Sequence, residues 1–211
     1  QDLISFDSNG FTVGATYAWG SVNGNTNNIV AWCWKAGGAA VSNSDGTITS
    51  QVSANQESGF SVVTYTGTGA DASVGHGLGT KPQVVWVKSR TNTDNWKVWF
   101  KGVTTDDSYS WQLDTNGANY SGSDKWYNQP NGNDTTTTTF GVSNDGATNR
   151  SGESFVGYCW AEIPGFSKFG RYKGTGNSNG SFINVGFKPA WVLVKGEDFA
   201  GNWNLFDIKR P

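Results

Sequence analysis

Short runs of β-branched and aromatic residues, separated by turn residues, recur along the whole chain. Several runs alternate apolar with polar positions, as in residues 60–65 and 96–100, and this period of two is typical of strands with one buried face. No segment shows helical periodicity over the length of a helix. Asn-Gly or Asp-Gly pairs, which favour the turns of tight hairpins, begin at positions 9, 23, 45, 116, 131, 145 and 179. The pattern predicts an all-β fold of antiparallel β-sandwich units in tandem.

The pattern is also repeated within the chain, because residues 59–100 resemble residues 165–207. Four landmark residues recur 107 positions later, and the pairs are Tyr65 and Tyr172, Pro82 and Pro189, Lys88 and Lys195, and Trp96 and Trp203. Residues 29–37 likewise resemble residues 155–165, and a Phe-x-Val sequence precedes each of them. Repetition of this kind indicates an array of structural units.

The order of these similarities predicts four regions along the chain. Residues 1–36 are the closing half of one β repeat, 37–58 a small and polar linker, 59–164 a complete β-sandwich repeat, and 165–211 the opening half of a further repeat. Because the ends fall inside repeats, we expect the chain to be a fragment of a longer polypeptide. The alternative is that the two end halves close on each other into one domain. The threonine run at 135–139 is expected to form an exposed edge or face of a strand.

Composition narrows the range of functions. Charged residues make up 15% of the 211 positions, and the chain contains 29 Gly and 11 Trp, a balance that favours β structure over helix. The formal net charge of −2, with basic residues scattered singly, predicts no nucleic-acid partner and no attraction to anionic membranes. No apolar run is long enough to span a bilayer, so membrane insertion is not expected. Cys33 and Cys159 occupy equivalent repeat positions and are predicted to be buried free thiols.

Motifs for enzymatic chemistry are absent from the sequence. His76 is the only histidine, and it is predicted to lie in a turn where the backbone bonds its ring. No nucleophile elbow, zinc-binding or phosphate-binding motif occurs. The carboxylates available for glycoside cleavage are predicted to be solvated loop residues, and they are Asp106, Asp107, Asp114, Asp124, Glu153 and Glu162. We expect no enzymatic activity, no cofactor and no metal site, with calcium binding by Asn- and Asp-rich loops left open.

Aromatic residues give the candidates for a ligand site. Most tryptophans stand in predicted strands and are expected to be core, whereas the polar insert at 104–134 is expected to expose its rings. Exposed rings stack on the apolar faces of sugars, while neighbouring amides bond the hydroxyl groups. The candidate glycan contacts are Trp111, Tyr120, Trp126 and Tyr127.

Five stretches together carry a resemblance to a known family. They are SFDSNGFTVG at 5–14, VAWCWKAGG at 30–38, GFSVVTYTGTG at 59–69, HGLGTKPQVVWVKSR at 76–90 and the junction CWAEIPGFSKFG at 159–170. Together they resemble the repeated β domains of structural proteins in tailed bacteriophages, especially marine phages, of the tail-fibre or surface-appendage kind. The resemblance covers nearly the whole chain outside the predicted linker.

This resemblance implies a non-enzymatic component of the virion surface that assembles as a homo-oligomer, commonly a trimer, and contacts other virion proteins. It assigns no catalytic or receptor-contact residue. The leading hypothesis is therefore an extracellular fibre or appendage protein that contributes to attachment to a host-surface glycan or receptor. The sequence does not distinguish a tail fibre from a head fibre or a capsid decoration. One alternative is a secreted carbohydrate-binding β-sandwich module, and another is a glycan-cleaving tailspike, which requires two carboxylates at catalytic separation.

Overall fold

The computed structural model describes residues 3–14, 22–23, 29, 31–101, 109–118, 120–121, 126 and 135–209. Within these residues the strands and the short helix are, in chain order, β1 Leu3–Phe6, β2 Phe11–Val13, β3 Val41–Asn43, β4 Ser50–Asn55, β5 Phe60–Thr66, β6 Ala72–Gly75, β7 Val84–Ser89, β8 Lys97–Phe100, β9 Tyr109–Gln112, β10 Tyr120–Ser121, β11 Thr139–Val142, α1 Gly146–Asn149, β12 Ser154–Trp160, β13 Trp191–Val194 and β14 Asn204–Asp207. The sheets pair their strands antiparallel. The predicted all-β, β-sandwich class is confirmed. Within these described ranges, no helix is long and apolar enough to cross a membrane.

The chain divides into two compact units, Gln1–Trp34 and Lys35–Pro211. In the first unit β1 and β2 form a hairpin. Its turn is closed by the Asp7 amide, which donates to the Gly10 carbonyl at 2.8 Å. The Thr12 hydroxyl donates to the Asp7 carboxylate at 2.7 Å and is the main cause of the lowered pKa of Asp7, because the bond stabilises the charged form.

The second unit is built around an eight-stranded sheet with the order β10-β9-β8-β7-β12-β5-β4-β3. Strand β12 pairs with β5 along one edge and with β7 along the other. The small sheet of β6 and β11 packs against one face, and the apolar side chains of both sheets form a core between them. Alternation along each strand sends every second side chain into this core. Its largest fully buried apolar members are Trp99, Phe140 and Phe155.

The opposite face of the large sheet carries a second apolar cluster, here called the outer-face cluster. Its buried members are Phe60, Val84, Val98, Trp111 and Trp160. The Trp160 ring lies 4.5 Å from that of Trp86 and 5.2 Å from that of Phe60, measured between centroids. Tilted aromatic pairs at such distances add stabilisation beyond the burial of their area. Both faces of the large sheet are therefore packed.

The stretch 37–58, predicted to be a linker, belongs to the large sheet, and that prediction is corrected. Strands β3 and β4 lie within it, and β4 pairs with β5 from Ser50 to Asn55. Val52 faces the core. The hydroxyls of Ser50 and Ser53 donate to backbone carbonyls at 3.0 and 2.6 Å. Serine side chains bonded in this way allow a polar sequence to occupy a buried strand.

The threonine run at 135–139 is likewise not an exposed edge or face of a strand. Thr135 and Thr139 are buried, and β11 begins only at Thr139. The Thr136 hydroxyl accepts the amides of Thr138 and Thr139 at 3.1 and 2.9 Å. Side chain to backbone bonds of this kind stabilise a tight turn. The run is a turn that delivers the chain to β11.

The C-terminal hairpin of β13 and β14 has the register of the hairpin formed by β7 and β8. Val85 lies opposite Trp99 in the first hairpin, and Val192 lies opposite Phe206 in the second. Both residues of the second pair stand 107 positions after those of the first. The repeat detected in the sequence is therefore also a repeat of strand pairing.

The similarity extends to the hydrogen bond next to each hairpin. The Lys101 amide donates to the Gln83 carbonyl at 2.8 Å, and the Ile208 amide donates to the Ala190 carbonyl at 3.1 Å. These two bonds are again 107 positions apart. Matching bonds mean that corresponding residues of the two hairpins direct their amides to corresponding sides.

Candidate functional site

Two of the four residues predicted to contact a glycan are buried. Trp111 lies in β9 opposite Val98 of β8 and packs in the outer-face cluster, while Trp126 packs in the core between the sheets. The prediction that these two rings are exposed is wrong, because strand pairing and packing decide their burial rather than their polar sequence neighbours. Tyr120 contributes its backbone to β10, but its side chain and the whole of Tyr127 lie outside the described residues.

Trp111 nevertheless borders a cleft in the second unit, here called the C-terminal cleft. Its volume is about 770 Å³, a size typical of ligand sites. Phe100 and Trp111 line it from the large sheet, and Tyr172, Phe199 and Trp203 line it from the C-terminal segment. The side chains of Tyr172 and Phe199 are exposed, so their rings are free to stack on a ligand.

Hydrogen bonds hold the C-terminal wall of this cleft against the sheet. The Trp203 indole Nε1 donates to the Gln112 carbonyl at 3.0 Å. The Gly201 amide donates to the Asn116 carbonyl at 2.8 Å. The two walls come from distant parts of the sequence, so no local motif predicts the cleft. Sequence reasoning found Trp111 and missed Tyr172 and Phe199 for this reason.

Charged and amide side chains line the same wall. Arg171 donates through Nε and Nη2 to the two carboxylate oxygens of Glu197 at 2.9 and 2.6 Å, a bidentate pair. Lys195 Nζ donates to the Gly201 carbonyl at 2.8 Å, and partial burial lowers the pKa of Lys195. Asn202 also lines the cleft. Exposed rings beside fixed donors and acceptors suit the recognition of a sugar.

His76 lies in a buried turn after β6. Its Nδ1 accepts the Leu78 amide at 3.2 Å, and its Nε2 lies 3.4 Å from the Thr136 carbonyl. The predicted backbone-bonded turn histidine is confirmed. Burial lowers the pKa of His76 from 6.5 to about 4, because desolvation disfavours the charged ring. Gly77 and Gly79, both at a φ of 69°, make the bend that leads from the small sheet to the large sheet.

Two of the carboxylates considered for glycoside cleavage are held in structural contacts. Lys168 donates to Glu162 at 2.6 Å, and this bond is the main cause of the lowered pKa of Glu162. Burial acts to raise the pKa of Glu153, but hydrogen bonds from Asn92 and Arg150 outweigh it and lower that pKa. A glycosidase acid needs the opposite shift. In the described part of the chain no group of three or more His, Cys, Asp or Glu could hold a metal ion. Of the other four candidates, Asp106, Asp107 and Asp124 lie outside the described residues. Asp114 is exposed, and its Oδ2 accepts the Trp96 amide at 3.4 Å.

The two cysteines are both free, but they differ in environment. Cys159 is fully buried in β12, and burial raises the pKa of its thiol to about 12. Cys33 is exposed, so the prediction of burial is wrong for this residue. Strands β5 and β7 flank Cys159 on both sides, whereas the described structure places Cys33 in no strand. Equivalent sequences therefore have different neighbours at the two positions.

Comparison with known proteins gives a family and no activity. A family model described as Domain of unknown function (DUF7483) matches residues 1–211. No curated protein matches the chain, and no solved structure matches it.

Proposed function

We propose that this chain, which belongs to the DUF7483 family, is a non-enzymatic structural protein on the surface of a tailed bacteriophage virion. Its place is in a tail fibre or another surface appendage, where it contributes to attachment to the host. The observation that carries the proposal is the hairpin that recurs with one register in β7–β8 and β13–β14. Tandem repeats of one module build extended structures from nearest-neighbour contacts, which is the requirement of a fibre.

The connection after the complete repeat also suits a stiff assembly. The amides of Phe166 and Ser167 donate to the Ile163 carbonyl at 3.0 and 2.9 Å. The Ser167 hydroxyl accepts the Ile163 amide at 3.0 Å. Glu162 pairs with Lys168 across the same turn. A turn bonded at this many points limits rotation between the complete repeat and the segment that follows it.

Localisation on particles tests this proposal. Antibodies raised against the purified chain are applied to intact particles of a phage whose genome encodes it. Bound antibody is then detected by gold labelling and electron microscopy. The proposal predicts label at fixed positions on the particle surface, with several copies around a local symmetry axis. Particles that lack both label and the polypeptide by mass spectrometry would contradict it.

A second candidate function is glycan binding, and the C-terminal cleft is the observation that favours it. The exposed rings of Tyr172 and Phe199 stand beside the paired charges of Arg171 and Glu197. This candidate is compatible with a fibre that attaches to a host glycan and equally with a secreted carbohydrate-binding module. A monomeric protein that binds glycans and is absent from particles would favour the secreted module.

Glycan-array binding with matched variants tests the cleft. Tyr172→Ala and Phe199→Ala are expected to weaken binding about tenfold each, since removal of a stacking ring costs on the order of 1.4 kcal/mol. Phe182→Ala is the control, because Phe182 is strongly exposed and does not line the cleft. Equal binding by all three variants would remove the cleft as the glycan site.

A glycan-cleaving tailspike is the third hypothesis, and the environments of two of its candidate carboxylates, Glu153 and Glu162, do not favour it. Glu153 and Glu162 both have lowered pKa values, so both are charged at neutral pH and neither is suited to act as a general acid. Incubation of the purified chain with host-surface polysaccharide is expected to release no new reducing ends. Release that is lost on substitution of a single carboxylate would establish an enzyme instead.

A further inference from the structure

Three half-buried aromatic residues lie side by side on the outer face of the large sheet in the complete repeat. They are Trp86, Trp96 and Tyr158, here called the aromatic row. Trp86 in β7 stands directly opposite Tyr158 in β12, and the Trp96 ring stacks on that of Tyr158 with a centroid separation of 5.9 Å. All three residues remain partly exposed to solvent. Partly exposed aromatic rings that lie together are typical of binding surfaces.

Strand pairing does not require this row. The hairpin of β13 and β14 has the register of β7 and β8, but Leu193 stands at the position of Trp86 and Glu197 at that of Arg90. An aliphatic and an acidic residue are therefore compatible with the same pairing. Trp86 and Arg90 are thus available for a function of the complete repeat.

Two cations border the aromatic row. Lys88 follows Trp86 by two positions and Arg90 follows Lys88 by two, so their side chains leave the sheet on the face of Trp86. Burial raises the pKa of Tyr158, and the charge of Arg90 opposes this rise, which means that the guanidinium lies near the Tyr158 ring. In the described part of the chain neither Lys88 nor Arg90 takes part in an ion pair.

Both cations keep hydrogen-bond donors for a ligand. Arg90 is exposed, and its Nη1 donates to the Ser154 hydroxyl at 3.2 Å, which leaves its other N–H groups free. Lys88 Nζ donates to the carbonyls of Ser89 and Asn92 at 3.1 and 2.9 Å, and a further proton of the ammonium group remains. Charged donors of this kind bind carboxylates strongly.

We propose that the aromatic row binds a polysaccharide that carries carboxylate groups, such as a chain of uronic acids. The apolar faces of the sugars stack on the three rings, and the carboxylates pair with Arg90 and Lys88. None of these five residues lines the C-terminal cleft, so this is a separate site. It does not depend on the virion role.

The position of the row selects among anionic partners. Strand β12 is paired along both edges, with β5 and with β7, so an extended peptide cannot be added there as a strand. Nucleic acid is disfavoured by the net charge of −2, since its binding requires many phosphate contacts. The Asp114 carboxylate, which accepts the Trp96 amide at 3.4 Å, can also accept sugar hydroxyl groups. These observations favour a sugar polymer.

Surface plasmon resonance with defined polysaccharides tests the site. The probes are alginate and polygalacturonate, together with the same polymers after chemical reduction of their carboxyl groups to alcohols. The whole chain is expected to bind at least one acidic polymer about tenfold or more tightly than its reduced form, and added salt is expected to weaken this binding. No binding to either acidic polymer, or equal binding to acidic and reduced forms, would overturn the proposal. Tighter binding to single-stranded DNA would overturn it as well.

Matched variants locate the binding site. Arg90→Gln and Arg171→Gln each remove one positive charge, the first beside the aromatic row and the second from the wall of the C-terminal cleft. Arg90→Gln is expected to weaken binding about tenfold, whereas Arg171→Gln is expected to leave it unchanged. Loss of binding in Arg171→Gln alone would place the site in the cleft and overturn the proposal.

A third variant tests the rings. Trp86→Leu introduces the residue found at the equivalent position 193 and is expected to weaken binding about tenfold. Because Trp86 packs on Trp160 at 4.5 Å, urea unfolding checks that this variant is folded, and the exposed Arg90 provides the test if it is not. Binding by a protein absent from phage particles would remove the virion role and leave this site. Particle labelling without binding would remove this site alone.

Discussion

The two hairpins β7–β8 and β13–β14 share a register but differ in what surrounds them. Val85 pairs with Trp99 in one, and Val192 pairs with Phe206 in the other. The first pair is buried and the second is exposed. The comparison shows that local sequence is sufficient to set strand pairing, because turn position and alternation are local properties. Burial is different, since it depends on strands supplied from elsewhere.

Other pairs of counterparts show the same division. Tyr65 is buried, and its hydroxyl donates to the Thr148 carbonyl at 2.5 Å, whereas Tyr172 is exposed at the C-terminal cleft. Burial is the main cause that raises the pKa of Tyr65 well above its ordinary value. One residue type therefore serves as a core anchor in one repeat and as a candidate ligand contact in the other.

The largest expected effect comes from truncating the paired aromatic residue of each hairpin. Trp99→Ala is expected to lower the free energy of unfolding by about 3–5 kcal/mol, because it leaves a cavity in the core. Phe206→Ala is expected to change it by less than about 0.5 kcal/mol at low protein concentration, as for other exposed positions. Urea unfolding of both variants measures the difference, and similar losses would show that the two environments are equivalent.

The free energy of unfolding of the complete repeat is expected to depend on pH through His76. The further repeat has Ile183 at the equivalent position, so it lacks this dependence. The pKa of His76 is lowered to about 4 in the folded chain, so the unfolded chain binds more protons between about pH 6.5 and pH 4. Stability contributed by the neutral ring is present above this window and is lost as the pH falls through it. The lowering of the pKa of His76 from 6.5 to about 4 corresponds to about 3 kcal/mol.

His76→Gln provides the measurement for this effect. The free energy of unfolding of the original chain is expected to fall further than that of the variant between about pH 7 and about pH 4.5. Carboxylate titration is common to both proteins, so the difference isolates the histidine. Identical pH profiles would contradict the assigned burial of the ring.

Removing one hydroxyl group from each of the equivalent tyrosines is expected to have a smaller effect. Tyr65→Phe deletes the bond to Thr148 and is expected to cost about 1 kcal/mol. Tyr172→Phe is expected to leave the free energy of unfolding unchanged, because water replaces any partner at an exposed position. Chemical denaturation distinguishes the two, and a comparable cost for Tyr172→Phe would place that hydroxyl in the packed structure.

The smallest effect is expected from the ion pair on the wall of the C-terminal cleft. Arg171 is 51% exposed and Glu197 is 29% exposed, so solvent screens their attraction. Arg171→Gln is expected to cost less than about 0.5 kcal/mol, and a double-mutant cycle with Glu197→Gln measures the coupling. A coupling well above about 1 kcal/mol would mean that the pair helps to hold the hairpin in place.

Much of the fold follows from the sequence, and the failures have a common cause. Runs of β-branched and aromatic residues predict five strands of the large sheet, β5, β7, β8, β9 and β12, but not β3, β4 or β10. The backbone-bonded turn of His76 follows from its glycine neighbours. The stretch 37–58 is small, polar and nearly free of aromatic residues, which predicts a linker. The hydroxyls of Ser50 and Ser53 nevertheless bond backbone carbonyls inside the sheet. Trp111 was expected to be exposed for the same reason. In each case a non-local partner decides the environment, and no local pattern reports it.

The C-terminal cleft was beyond sequence reasoning for the same physical reason. Its rings come from β8, β9 and the C-terminal segment, and the bond from Trp203 to Gln112 that joins the walls spans 91 positions. The sequence predicts Trp111 as a candidate glycan contact, but from its polar sequence neighbours rather than from this geometry. Predicting Tyr172 and Phe199 as ligand contacts would require knowing which side of the C-terminal hairpin the other strands do not cover.

Amide exchange along β13 tests the central claim most directly. Directly after β7 the Arg90 amide donates to the carbonyl of Ser154 in β12 at 2.8 Å, so Trp86, four residues earlier, directs its amide to the same side. Leu193 is the counterpart of Trp86. The account predicts that the Leu193 amide exchanges much faster than the Trp86 amide, because β12 pairs along that edge of β7, whereas in the described residues β13 pairs with β14. Comparable protection of the two amides would contradict it.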